Sequence, residues 1–149
     1  CTLLIAVGGA NGGGALQIGD GVIVVRGDDQ DWCWVFWPQR GEYANTTRFL
    51  TDDDALEMLE IDSLPCDITD IALMSDGVES LALDYTNGTA HQPFFHAMIR
   101  PLASACEDGE LVRLSDALCR FLSSEQIASR TADDVFLILA TRADRSLPA

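Results

Sequence analysis

Two apolar runs, each tied to acidic residues at one end, constrain this chain more than anything else in it. The first runs Ile71-Ala72-Leu73-Met74-Ser75 and ends in Asp76-Gly77. The second, Val135 to Thr141, begins directly after Asp133-Asp134. Uninterrupted apolar runs this short read as strands buried on both faces. If the two pair antiparallel, the end of one lies beside the start of the other. Asp76 and Asp133 then share one rim of a sheet, where two carboxylates could hold a hard cation.

The rest of the chain reads as strands first and helices later. Thr2 to Val7, Ala15 to Ile18, Val22 to Arg26 and Trp32 to Trp37 are strand-like. They are separated by Gly8 to Gly14 (with the hairpin dipeptide Asn11-Gly12), Gly19-Asp20-Gly21 and Asp28 to Asp31. This opening stretch is expected to form an antiparallel meander. Thr51 with Asp54 three residues later resembles a capping box and predicts a short helix there. Glu79 to Tyr85 predicts a helical turn. Phe94 to Cys106 predicts a helix with Pro101 as kink or boundary. Leu111, Leu114, Leu118 and Phe121-Leu122 recur at helical spacing, which makes Glu110 to Ser123 the clearest helix. The tail from Arg142 to Ala149 is expected to fray. Segregated strands and helices point to an α+β fold with a largely antiparallel sheet.

Bulk properties narrow the function classes. With 149 residues the expectation is one domain. The net charge is −15, and all nine basic residues are Arg. Such a balance disfavours nucleic acid and anionic membranes as partners. No run is long enough to span a bilayer, and no signal peptide is visible, so a cytoplasmic location is expected. The five cysteines are odd in number and form no C-x-x-C pair, which fits a reducing compartment better than a disulfide framework or zinc cage. His91 and His96 are spaced off a single helical face and are not expected to form a metal pair. Asp52-Asp53-Asp54 lacks the glycine and spacing of a calcium loop. Ser75 has no Gly-x-Ser-x-Gly elbow around it and is not expected to be a nucleophile.

Asp76-Gly77 or Asp133-Asp134 alone would be an ordinary turn. With Gly19-Asp20-Gly21 they make three acidic turns bordered by apolar strands, an oxygen-only set suited to Mg²⁺ or Mn²⁺. Here the residues resemble a known family. Ile71 to Glu79 is similar to the "LxSDGl" motif of the metal-dependent Ser/Thr protein phosphatases of type 2C. Thr131 to Ala140 resembles that family's "DNxTvivv" motif, with Asp134 where Asn is usual. Ala15 to Val25 resembles its "vGDSr" strand pair, with Gly21 in place of Ser. Cys1-Thr2 and the run after them resemble its "GsT" strand. Gly41 to Thr47 resembles a segment of a bacterial branch.

The resemblance implies an α-β-β-α sandwich of antiparallel sheets flanked by helices, and a phosphorylated protein as substrate. It implies Asp76 and Asp133 as ligands of a catalytic pair of Mg²⁺ or Mn²⁺ ions, and Asp20 as ligand of an additional site. It assigns a phosphate-gripping Arg and a metal-bridging Asp-Gly to N-terminal strands that no segment here resembles. Residues 1–149 are thus expected to be the C-terminal part of one phosphatase domain with the N-terminal strands missing. A separate chain could supply those strands. The resemblance implies hydrolysis of phosphate monoesters by metal-activated water, and little activity for this chain alone. The rival readings are a non-catalytic phosphatase-like binding module and a structural domain whose open sheet edge pairs with another chain.

Overall fold

A computed structural model describes residues 1–9, 11–38 and 49–142. The Gly41 to Thr47 segment and the tail beyond Arg142 lie outside the described residues. Two antiparallel sheets face each other. The first has the order β1-β2-β5, from Leu3–Gly9, Gly12–Ile18 and Glu60–Leu64. The second has the order β4-β3-β6-β9, from Cys33–Phe36, Val22–Gly27, Ile68–Met74 and Leu137–Thr141. A two-stranded ribbon pairs β7 (Leu83–Asp84) with β8 (Thr89–Ala90). The helices are α1 (Glu79–Ala82), α2 (Gln92–Ala103), α3 (Val112–Leu122) and α4 (Glu125–Ala128). The expected α+β sandwich of antiparallel sheets is therefore present. Among the described residues, its helices cover only the second sheet.

Strand β3 explains why the two sheets hold together. Its sequence Val22-Ile23-Val24-Val25 is apolar at every position, so both faces can be buried. Ile23 and Val25 turn inward between the sheets, with Ala15, Phe36 and Leu64. Val22 and Val24 face the helices, with Ala72, Met74, Phe95, Ile99 and Leu137. Fully burying each such side chain contributes about 1.5–3 kcal/mol. Trp32 stacks on Phe95 at 4.9 Å between ring centroids. Gln92 clips the Trp32 backbone from both sides, accepting from its N–H and donating to its carbonyl, each at 2.8 Å. Trp32 and Phe95 are core, whereas Trp34 is surface-exposed and donates through Nε1 to the Gly88 carbonyl.

Several expectations change. The opening strands are not one meander, because the chain leaves the first sheet after β2 and enters the second at β3. The crossing occurs at Gly19-Asp20-Gly21, and Gly19 has φ +109°, a conformation that favours glycine. Gly8 and Gly9 continue β1, and Gly12 to Gly14 open β2, so the glycine run is mostly paired strand. Thr51 to Met58 forms consecutive turns in place of a helix. The Asp52 side chain closes the first of these turns, accepting from the Phe49 N–H at 2.9 Å. Leu56 is 87% exposed, so no apolar face anchors a helix there. Strand β5 occupies a stretch with no strand expectation. Helix α2 runs on to Ala103 through Pro101, near its last turn. Helix α3 matches its predicted position, yet none of its residues is fully buried.

Candidate metal centre at the sheet rim

Registry brings three acidic turns to one end of the second sheet. Met74 pairs with Val22 on one side and with Leu137 on the other. Asp20 precedes β3, Asp76 follows β6 and Asp133 precedes β9, so all three approach the same rim. The antiparallel β6–β9 neighbourhood is the one expected from the two apolar runs.

The electrostatics record the gathering. The Asp76 carboxyl is held above the ordinary aspartate range, first by burial and then by the neighbouring Asp20 and Asp133 charges. Hydrogen bonds from the Gly77 and Asp76 backbone oppose that rise. Among the described residues, no three acidic, histidine or cysteine side chains enclose a metal-sized position. The site is an open rim of carboxylates that repel one another, rather than a closed cage. Its donors are all oxygen, a set suited to a hard divalent cation that keeps part of its hydration. A cation would also relieve the repulsion on Asp76.

Two residues between the carboxylates fix the rim. The Ser75 hydroxyl donates to the Asp134 carbonyl at 2.7 Å and accepts from the Phe136 N–H at 3.0 Å. The Ser75 N–H donates to the Phe136 carbonyl at 3.2 Å. The end of β6 is thereby stapled to the segment that carries Asp133. Gly77 completes the fit, since a Cβ there would lie 2.6 Å from the Asp134 carbonyl oxygen. Asp76 opens a 3₁₀ turn, Asp76–Val78, that leads straight into α1. Ser75, not expected to be a nucleophile, is a clamp between the two acidic turns, a role its local sequence does not announce.

The Asp20 turn has its own support. Buried Gln17 donates through Nε2 to the Gly19 carbonyl at 3.4 Å. A Cβ on Gly21 would lie 2.6 Å from Leu4 Cδ1 and 3.0 Å from the Met74 carbonyl oxygen. Close packing across the rim therefore accounts for glycine at this position. Asp133 and Asp134 also border an apolar groove of ≈ 850 Å³ between α2, α3 and β9, lined by Met98, Leu102, Leu118 and Leu122 among others.

His91 and His96 engage different partners. The His91 Nδ1 lies 3.0 Å from the Leu81 carbonyl, whereas His96 Nδ1 lies 3.4 Å from Arg26 Nη1. All five cysteines are free and exposed. No helix among the described residues is long and apolar enough to cross a membrane.

Comparison with known proteins gives two matches. The family model described as protein phosphatase 2C matches residues 1–123, a span that holds Asp20 and Asp76 and stops short of Asp133. "Serine/threonine-protein phosphatase 3" of Escherichia coli (strain K12) is 37% identical over 144 residues, 97% of this chain. The chain spans about half the length of that relative, 56% of it. No solved structure matches.

Proposed function

This chain belongs to the protein phosphatase 2C family, and on that premise we propose that it supplies the C-terminal part of a metal-dependent phosphoserine/phosphothreonine phosphatase domain. The observation that carries the reading is the register that brings Asp20, Asp76 and Asp133 to one rim of the second sheet, where burial and the two neighbouring charges raise the Asp76 carboxyl. Like charges gathered at the rim of a packed sheet cost stability unless a cation offsets them. Asp76 and Asp133 would hold Mg²⁺ or Mn²⁺, and Asp20 would serve an additional site. When bound, such an ion supplies a Lewis acid that activates water and neutralises phosphoryl charge. The Ser75 clamp and Gly77 set the separation of the two carboxylate-bearing turns. None of the three aspartates is assigned as general acid.

Two open sheet edges support the idea of a domain part. Among the described residues, β1 and β9 are edge strands of their sheets. β1 packs across from β6, and Leu64 of β5 shares a core cluster with Phe36 of β4. The open edge of β1 therefore lies on the same side of the sandwich as that of β9. Ile5, Val7 and Ile138 are exposed on these strands. Added strands would cover them, supplied from the same polypeptide or by a separate chain. We expect the phosphate-gripping Arg and the metal-bridging Asp-Gly on those strands. The substrate is then a phosphorylated protein, and the exposed free thiols fit a cytoplasmic setting.

Two measurements test the reading. Titration with Mn²⁺ should show binding that Asp76→Asn weakens. The 149-residue chain alone should not hydrolyse a phosphopeptide with Mn²⁺ present. Measurable turnover by this chain would overturn the partial-domain reading. Absence of Mn²⁺ binding, in this chain and in a longer parent alike, would favour a non-catalytic binding module.

A further inference from the structure

A second cleft is walled by segments adjacent in the chain to two of the acidic turns, and it contains an arginine. It has a volume of ≈ 350 Å³ and is lined by Ser80, Leu81, His91, Pro93, Phe94 and Arg130. Ser80 and Leu81 belong to α1, the helix that follows Asp76 and its turn. Arg130 closes the turn after α4, three residues ahead of Asp133. The two segments that carry the rim carboxylates thus also wall this cleft.

The cleft holds one fixed cation, Arg130, in a chain of net charge −15; the Asp84 carboxylate interacts with His91 at its border. Arg26 and Arg142 are engaged with Asp70 and Asp28, whereas the Arg130 guanidinium makes no ion pair among the described residues. His91 holds its Nδ1 3.0 Å from the Leu81 carbonyl. A carbonyl only accepts, so Nδ1 carries the proton. The Ser80 hydroxyl adds a neutral donor, and Leu81, Pro93 and Phe94 give an apolar floor for an aliphatic stem.

We propose that this cleft is a substrate subsite that seats an oxyanion, a carboxylate or a second phosphoryl group, carried by a residue near the phosphorylated one. Arg130 supplies the charge-assisted hydrogen bonds. Ser80 completes the donor set, and His91, held by the Leu81 carbonyl, forms a wall of the cleft. As a substrate subsite the cleft rests on the phosphatase reading above; as an oxyanion site it stands on its own residues. It implies a preference for phosphoproteins with acidic or multiply phosphorylated segments.

The test is binding of blocked tripeptides to the full chain without divalent cation, followed by NMR at the His91 ring and the Arg130 side chain. The probes are Gly-Glu-Gly, Gly-phosphoserine-Gly and the neutral control Gly-Gln-Gly. The Glu peptide, the phosphoserine peptide or both should shift these resonances, and which of them does so identifies the oxyanion. Gly-Gln-Gly should not. Arg130→Gln should weaken the binding about tenfold, while Arg113→Gln on α3 should leave it unchanged. The proposal fails if neither anionic peptide shifts the two residues, or if both variants weaken binding equally, which would reduce the effect to diffuse charge. Because no metal is added, failure of Mn²⁺ binding at the rim and failure of this cleft are read separately.

Discussion

Strand β6 has one carboxylate at its start and another just past its end, and the fold treats them in opposite ways. Asp70 is 1% exposed and is neutralised. Arg26, its cross-strand partner, reaches its Oδ2 through Nε at 2.7 Å and through Nη2 at 2.6 Å. Thr69 donates to the same oxygen at 3.0 Å, and the guanidinium also lies 5.3 Å from the Trp32 ring centroid. Asp76 has no such arginine among its influences; its charged neighbours are Asp20 and Asp133. A carboxylate that serves packing is given a counter-charge from within the chain. One placed among its own kind is arranged for a counter-charge from outside.

The largest effect should come from breaking the neutralised end. Asp70→Ala leaves the Arg26 charge without its partner in a mostly buried place, and loss of one member of such a pair costs about 3–5 kcal/mol. Urea denaturation should show it. Replacing both residues by apolar ones of similar size should recover much of the loss. A cost under about 1 kcal/mol for Asp70→Ala would bring the pair down to surface value and erase the contrast between the two ends.

Gly77→Ala comes next. Its new methyl would press on the Asp134 carbonyl, and overpacking of this kind costs about 1–3 kcal/mol. Thermal unfolding measures the stability loss, and Mn²⁺ titration should show weaker binding because the two carboxylate turns move apart. Unchanged Mn²⁺ affinity in a destabilised variant would separate packing at Gly77 from the function of the rim.

Asp76→Asn sharpens the comparison from the other end. Mn²⁺ affinity, read by calorimetry, should fall about tenfold or more, equivalent to about 1.4 kcal/mol. The smallest effect concerns the same variant without divalent cation. Because the folded-state value of Asp76 is raised, its contribution to stability is fully present at pH below the ordinary aspartate value of 3.8 and is lost as pH rises through the raised value. Asp76→Asn should therefore unfold at a slightly higher temperature than the parent at pH 7, and the gap should close at pH 3. An Asn variant less stable than the parent at pH 7 would show that Asp76 is a structural carboxylate like Asp70.

The sequence made the rim legible because its signals are local. An apolar strand that stops at Asp-Gly, and another that starts after Asp-Asp, need only an antiparallel pairing to meet. Asp20 joined them through the combination of acidic turns and the family motifs. The Arg26–Asp70 pair was not legible, because its members are separated by β4 and β5 and meet only through the β3–β6 register. β5 was missed because its outward Ile61 is 69% exposed and only Leu64 is buried, so its alternation is faint. The Thr51 expectation failed for the reverse reason: a good local cap had no tertiary surface to hold a helix against.

Strand β3, packed on both faces, has a consequence for how the molecule opens. The inter-sheet layer and the helix-facing layer each depend on alternate residues of this one strand. Loss of either layer still leaves β3 covered on its other face and paired on both edges, so the amides of Val22 to Val25 should exchange with solvent only through the most global opening. The exposed strand β1 and helix α3, which has no fully buried residue, should exchange earlier. The Asp20 turn is anchored directly ahead of the slowest-exchanging segment, so the rim keeps its shape while the periphery fluctuates.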